Sequence, residues 1–353
     1  MSRFFSERYK DFKPYTPGER PKANEYIKLN TNESPYPPSK KAVAEAAKAA
    51  ESLNLYSDPD SNPLKDALSE LYGIDRDRII FGNGSDEILS LCFLAFCDKN
   101  TPAVFPNISY GFYPVLAGVY SLPYREIPLK DDFSIDINDY MGVKGTIIIA
   151  NPNAPTSLAL TTEQIEKILQ GNPDNVVVID EAYVDFGAES CVGLTEKYDN
   201  LLVVQTFSKS RSFAGGRLGF GIGSCELISD INTIRNSINP YNINSMTMAM
   251  GTAILKDNEY TLNNCRAIMD TRDNFIKEIR KLGFIAADSY TNFVFARHPE
   301  IPGEELYTKF RENGILVRHF SKPLIDDYVR ISIGSFEQMQ KVIDIAGKIV
   351  KNN

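Results

Sequence analysis

The chain has 353 residues, 43% of them hydrophobic and 24% charged, an ordinary balance for a globular protein with a sizeable core. Its 38 basic and 46 acidic side chains leave a net charge of −8, which argues against a nucleic-acid-binding surface. With only His298 and His319, a three-histidine metal centre is excluded, and no G-x-S-x-G turn of the hydrolase kind is present.

Residues 1–38 are rich in proline and polar groups, including Pro14-Tyr15-Thr16-Pro17-Gly18 and Leu29-Asn30-Thr31-Asn32-Glu33-Ser34-Pro35. They read as an extended arm wrapping another part of the protein, and the charged start predicts no signal peptide. Residues 39–53 are alanine-rich and predict a helix capped by Ser39. Residues 54–63, with Tyr56 among aspartates and prolines, predict a loop, and a second helix follows over 64–72. Residues 78–87 read as a strand, the turn Gly82-Asn83-Gly84 and a helix start, the helix running to Phe96. Free N–H groups at such a start bind anions. Glu87 stands where a dinucleotide fingerprint needs its third glycine, so a single phosphate fits better. The apolar run 88–97 is too short to span a bilayer.

Further strands are predicted at 103–106, 145–151, 176–179, 201–204 and 220–222. Thr161-x-x-Gln164 is a capping box opening a helix to Gln170. Short apolar strands alternating with helices imply a mostly parallel sheet covered on both faces, with function gathered beyond the strands' carboxyl ends. Asn151, Asp180 and the pair Ser208-Lys209 all stand just after such strands. Beyond residue 244 come helices over 245–255 and 259–282, strands at 292–296, 315–317 and 328–333, and a helix capped by Ser335. The expected organisation is an arm over 1–38 joining a small α+β domain over 245–353, and a large α/β domain over 39–244. Five scattered cysteines without a C-x-x-C pair fit reduced thiols and a cytoplasmic location.

The stretch 205–220 holds the densest chemistry: Thr206, Ser208, Lys209, Gly215-Gly216 and Arg217 follow one buried strand. Hydroxyls and an arginine bind phosphate, and an enclosed lysine can lose its proton and attack a carbonyl. A lysine flanked by phosphate ligands is the arrangement expected for pyridoxal phosphate.

Taken together, the motifs resemble the fold-type I pyridoxal-phosphate-dependent aminotransferases, most closely the histidinol-phosphate aminotransferases, over essentially the whole length. The carriers are Leu29-Asn-Thr-Asn-Glu-Ser-Pro35, Gly82-Asn-Gly-Ser-Asp-Glu87, Asn151-Pro-Asn-Ala-Pro-Thr156, Asp180-Glu-Ala-Tyr183, Thr206-Phe-Ser-Lys209, Gly216-Arg-Leu-Gly-Phe220, Pro240-Tyr-Asn-Ile-Asn244 and Val329-Arg-Ile-Ser-Ile-Gly334. The resemblance implies that Lys209 holds the cofactor covalently and later moves the substrate proton. It implies that Asp180 pairs with the pyridine nitrogen, Tyr183 donates to the ring's phenolic oxygen and Tyr110 stacks on the ring. Gly84, Ser85, Asp86 (through its N–H), Thr206, Ser208 and Arg217 would hold the phosphate, joined by Tyr56 from the partner subunit of a homodimer. Arg318 and Arg330 would meet the substrate's anionic end, with Tyr15 and Asn32 closing over it. The chain departs from the family at Ala154, where an asparagine usually donates to the phenolic oxygen; that donor is lost or is supplied by Asn153.

The implied reaction is transamination between histidinol phosphate and 2-oxoglutarate, giving glutamate, in histidine biosynthesis, with no nucleic-acid or membrane partner and no metal. Threonine-phosphate decarboxylase and aromatic amino-acid aminotransferase are alternatives on the same fold. A non-catalytic cofactor-binding module would need an attached DNA-binding domain, for which the chain has no residues to spare, and the intact Lys209 also speaks against it.

Overall fold

The computed structural model describes residues 2–16, 18–19 and 26–352; the rest of the expected arm (Met1, Pro17 and 20–25) and Asn353 lie outside the described residues. The arm contributes strand β1 (Ile27–Lys28). Helices α1 (Lys40–Ala50) and α2 (Asn62–Tyr72) follow, then β2 (Ile79–Gly82), α3 (Ser85–Phe96), β3 (Ala103–Pro106), α4 (Tyr113–Tyr120) and β4 (Tyr124–Ile127). Next come β5 (Thr146–Ala150), α5 (Thr162–Gln170), β6 (Val177–Asp180), β7 (Leu201–Thr206), β8 (Gly219–Ile222), α6 (Cys225–Ile238), α7 (Ser245–Lys256) and α8 (Asn258–Lys281). The chain ends with β9 (Ile285–Ala286), β10 (Phe293–Arg297), α9 (Gly303–Glu312), β11 (Ile315–Leu316), β12 (Arg318–His319), β13 (Val329–Ser332) and α10 (Phe336–Lys351).

Seven strands form one sheet in the order β2-β8-β7-β6-β5-β3-β4. Only β8 runs against its neighbours, so the sheet is mostly parallel, as expected. Along the central strands, alternate side chains enter different cores. Ile147, Ile149, Val177, Ile179, Leu201 and Val203 join one apolar cluster with Leu64, Ile165 and Met248 from α2, α5 and α7. Ile148, Val178, Leu202 and Val204 join another with Ile88, Leu116 and Leu227 from α3, α4 and α6. A strand whose two faces are both apolar needs helices on both, and that burial keeps the strand ends in register.

A second sheet, β12-β13-β10-β9, is wholly antiparallel. Its inner face meets α8 and α10 in a third cluster, where Val294, Ile331, Phe275 and Val342 pack with Leu29 of the arm. The arm's β1 pairs in parallel with β11.

Ser39, Thr161 and Ser335 cap their helices as expected, the last two in full capping boxes. Helix α2 starts at Asn62 rather than at 64, because Pro63 sits in the first turn, where its missing N–H is not needed. The strand expected at 315–317 divides. Ile315 and Leu316 face β1 while Arg318 and His319 face β13. Around the larger sheet, three elements had no counterpart in the sequence reading. Helix α4 contains Pro114, Val115, Gly118 and Val119, poor helix formers that burial overrides. Strand β4 is a charged edge with three exposed residues. Helix α6 is rich in β-branched and short polar residues, and Ser224 caps it. Near the smaller sheet, α9 and the two-residue strand β9 were likewise not anticipated.

Candidate active site

Gly84 adopts φ +79° immediately before α3, a backbone position suited to glycine, and no side chain caps that helix. The first N–H groups of α3, from Ser85 and Asp86, therefore lie at a positive helix end without intrahelical acceptors. A Cβ at Gly84 would come within 2.5 Å of Arg217 Nη2, and one at Gly219 within 2.3 Å of Ser85 N. These two glycines let α3, Arg217 and the start of β8 close into a cup. Thr206 donates to Ser208 Oγ at 3.1 Å, and Arg217 Nη1 approaches the same oxygen at 3.5 Å. The Asp86 carboxylate, for which no role was expected, accepts from Arg217 Nη2 and from the Tyr110 hydroxyl, each at 2.9 Å.

The cup opens into a cavity of about 180 Å³ walled by Asp180, Tyr183 and Lys209. A neighbouring cavity of about 280 Å³ shares Tyr110, Tyr183 and Lys209 and adds Tyr15, Arg318 and Arg330. Lys209 Nζ donates to the Thr31 carbonyl at 3.1 Å. Burial lowers its pKa to about 8, helped by Arg330 and opposed by Asp86 and Glu33. Asp180, the last residue of β6, is buried, and burial raises its pKa to about 6 against donors from the Tyr113 hydroxyl and the Ala182 N–H. The Tyr183 hydroxyl accepts from Asn32 Nδ2 at 2.9 Å. Asn32 itself, at φ +56°, is held by Ser332 of β13 and by Asn292, the residue before β10.

Arg330 projects from β13 between Phe293 and Phe320, its guanidinium carbon 5.2 and 5.6 Å from their ring centres. Nη2 donates to the Asn30 carbonyl at 3.1 Å, while the buried Nε has no acceptor. Burial lowers the pKa of this guanidinium, and nearby Arg318 does the same. Tyr15 meets Tyr110 and Phe112 edge-on at the cavity mouth.

Two expected residues stand apart. Asn153 is buried, and its amide N–H groups are engaged by the Ile108 carbonyl and Thr156 Oγ1, each at 2.9 Å. It does not line either cavity, whereas Ala154 lines both. Tyr56 is 84% exposed, stacks on Tyr241 at 4.6 Å and lines neither cavity. The sequence reading gave no role to Asn30 and Thr31 carbonyls, Glu33, Phe320 or Tyr113. Backbone acceptors and buried aromatics carry no motif, although Glu33 lay inside one of the quoted segments. Among the described residues no helix is long and apolar enough to cross a membrane, and no cluster of three or more His, Cys, Asp or Glu is placed to hold a metal ion.

The sequence pattern of the family Aminotransferase class I and II matches residues 24–345. The chain is 49% identical to a histidinol-phosphate aminotransferase of Brachyspira hyodysenteriae, with all of both chains covered. It is 48% identical to one from Lactococcus lactis subsp. cremoris over 96% of each. The crystal structure of histidinol-phosphate aminotransferase from Sinorhizobium meliloti in complex with pyridoxal-5'-phosphate superposes with a TM-score of 0.88 at 20% identity, covering 100% of this chain and 99% of that one. Cup, lysine, carboxylate and full-length likeness agree: the chain belongs to the class I and II aminotransferases and, within them, to the histidinol-phosphate aminotransferases.

Proposed function

We propose that the protein transfers the amino group between histidinol phosphate and 2-oxoglutarate with pyridoxal phosphate as cofactor. The observation that carries the reading is the position of Lys209. Its amine stands between a cup of anion donors, a buried carboxylate and a half-buried arginine. The residues fit the cofactor: N–H groups, hydroxyls and Arg217 for its phosphate, Asp180 for its pyridine nitrogen and Lys209 for its aldehyde. When bound, pyridoxal phosphate supplies a reactive carbonyl and a ring that accepts electrons.

The protein's part follows from the geometry. Lys209, with a pKa near 8, is partly neutral at physiological pH, so its Nζ is available as nucleophile and later as the base that takes the proton from the substrate's α-carbon. Asp180, when ionised, would pair with the ring nitrogen of the cofactor and favour its protonated form. Tyr183 receives a hydrogen bond from Asn32, which leaves its own proton for an acceptor in the cavity. Phosphate binding at the cup would compete with the Asp86 carboxylate for Arg217, while Asp86's N–H remains directed by α3. Arg330, seconded by Arg318, presents a forked donor to the carboxylate of glutamate or the phosphate of histidinol phosphate. The same reading makes the protein a cytoplasmic homodimer, with the exposed Tyr56 reaching the partner's cup; reduced cysteines, four of them buried, support that location.

The test is a half-reaction screen. Cofactor-loaded protein is mixed in turn with histidinol phosphate, phenylalanine and threonine phosphate while the visible spectrum is followed. Histidinol phosphate should convert the spectrum fastest. Faster conversion by phenylalanine, or carbon dioxide release from threonine phosphate, would overturn the substrate assignment. Borohydride should fix the cofactor on the Lys209 peptide, and Lys209→Ala should abolish both labelling and turnover; a label on another lysine would overturn the site.

A further inference from the structure

Tyr113, the first residue of α4, is fully buried, and its hydroxyl donates to Asp180 Oδ2 at 2.8 Å. Its ring stands edge-on to Tyr110, with centres 5.6 Å apart at 87°, and lies 5.6 Å from Phe105. The other carboxylate oxygen of Asp180 accepts from the Ala182 N–H at 3.2 Å, the long end of the normal range. Two donors from two different elements therefore fix the plane of one buried carboxylate, and the shorter bond is Tyr113's. We propose that Tyr113 is a positioning residue, which holds the Asp180 carboxylate ionised and aimed at the pyridine nitrogen of the cofactor. This rests on the reading above that the site takes pyridoxal phosphate.

The groups facing Asp180 come from four directions. Tyr113 reaches it from α4, Asp86 from α3, Lys209 from the loop after β7, and the Ala182 N–H from its own turn. Burial and Asp86 disfavour its ionised form, while Tyr113, Ala182 and Lys209 favour it. Burial pushes the Tyr113 phenol well above its ordinary range, so the hydroxyl stays protonated and acts as donor. Donation to the ionised form lowers a carboxyl pKa, so removing Tyr113's hydroxyl raises it. More of the protein then carries a neutral Asp180 near neutral pH, and a neutral acid cannot form the charged pair with a ring nitrogen that is already protonated. Tyr110 and Tyr183, the other phenols near this centre, keep their own hydroxyls when Tyr113 loses its.

The experiment uses Tyr113→Phe, which keeps the ring and its packing. Dissociation constants would be measured by absorbance, from acid to alkaline pH, for pyridoxal phosphate and for its 1-deaza analogue, in which a C–H replaces the ring nitrogen. A hydrogen bond to a charged group predicts about a tenfold or greater loss for pyridoxal phosphate near neutrality. The acid limb of binding should shift to higher pH, and the deaza analogue should be unaffected. In an Asp180→Asn background, Tyr113→Phe should add no further loss. Equal loss for both ligands, an unshifted acid limb, or an undiminished effect in the Asp180→Asn background would mean that the hydroxyl serves packing only and would overturn the inference. The cofactor reading fails separately, and only if wild-type Lys209 forms no borohydride-reducible bond with pyridoxal phosphate.

Discussion

Replacing Arg330 by methionine should move ligand binding and stability in opposite directions. In the free protein the guanidinium is a half-buried cation whose one hydrogen-bond acceptor is the Asn30 carbonyl, and its Nε is buried without a partner. An unsatisfied buried donor costs about 1–3 kcal/mol. Methionine has similar reach and would pack its sulfur against Phe293 and Phe320, recovering about 0.3–1.5 kcal/mol of the lost contact with the rings. Against this stand the bond to Asn30 and the cation–ring attraction, about 1 kcal/mol each. The net expectation is a gain on the order of 1 kcal/mol, and an upward shift of about 2 °C in Tm for the cofactor-free protein. With ligand present the sign reverses. Truncating a buried, charge-assisted contact costs about 2–5 kcal/mol, and the lower half of that range applies because Arg318 lines the same cavity. That corresponds to a loss of affinity of about thirtyfold to several hundredfold. Calorimetric unfolding of the free protein and spectral titration of the loaded protein, with both histidinol phosphate and glutamate, supply the two readings. A lower Tm would refute the claim that the arginine is destabilising when free. Impairment towards only one ligand would refute the claim that a single guanidinium serves both anions.

Ala154→Asn should lower, on the order of one unit, the pH at which the bound cofactor's visible absorption changes, because a new donor favours the anionic phenolic oxygen. An unchanged titration would show that another group already donates there, even though Asn153's amide is engaged elsewhere. Co-refolding Tyr56→Ala with Lys209→Ala should regain activity well above that of the Tyr56→Ala protein alone, up to about half of wild type per mixed dimer, since two-fold exchange rebuilds one intact site. Mixed dimers with no more activity than their parents would place Tyr56 outside the partner's site.

What was legible in the sequence was the sheet. Ile147-Ile148-Ile149 and Val176 to Ile179 have two apolar faces and no other reasonable fate than a central strand, and the residues at their ends follow from that placement. The cup was legible too, because glycine, hydroxyl and helix start lie within one short segment. The resemblance supplied the roles, which composition and periodicity do not contain. What could not be read depends on distant partners. Arg217 and Asp86 are 131 positions apart, Tyr113 and Asp180 are 67, and Lys209 meets a main-chain carbonyl 178 positions away. Helix α4 was hidden for a related reason, its poor local propensity being overruled by burial of Tyr113, Leu116 and Ala117.

In the proposed site, the cofactor end and the anion-binding end are attached to different sheets. Lys209 and Arg217 sit on one connection between β7 and β8, whose ends are tied by the Phe207 N–H to the Leu218 carbonyl at 2.9 Å. Arg330 belongs to β13 of the smaller sheet. The span from lysine to arginine is thus a distance between two sheets bridged by the N-terminal segment, whose Thr31 carbonyl accepts from Lys209 and whose Asn30 carbonyl accepts from Arg330. Such a site works as a caliper whose gap is set by that segment: a shift of either sheet would change the length of ligand that Lys209 and Arg330 can span, and would have to carry or break those two main-chain contacts.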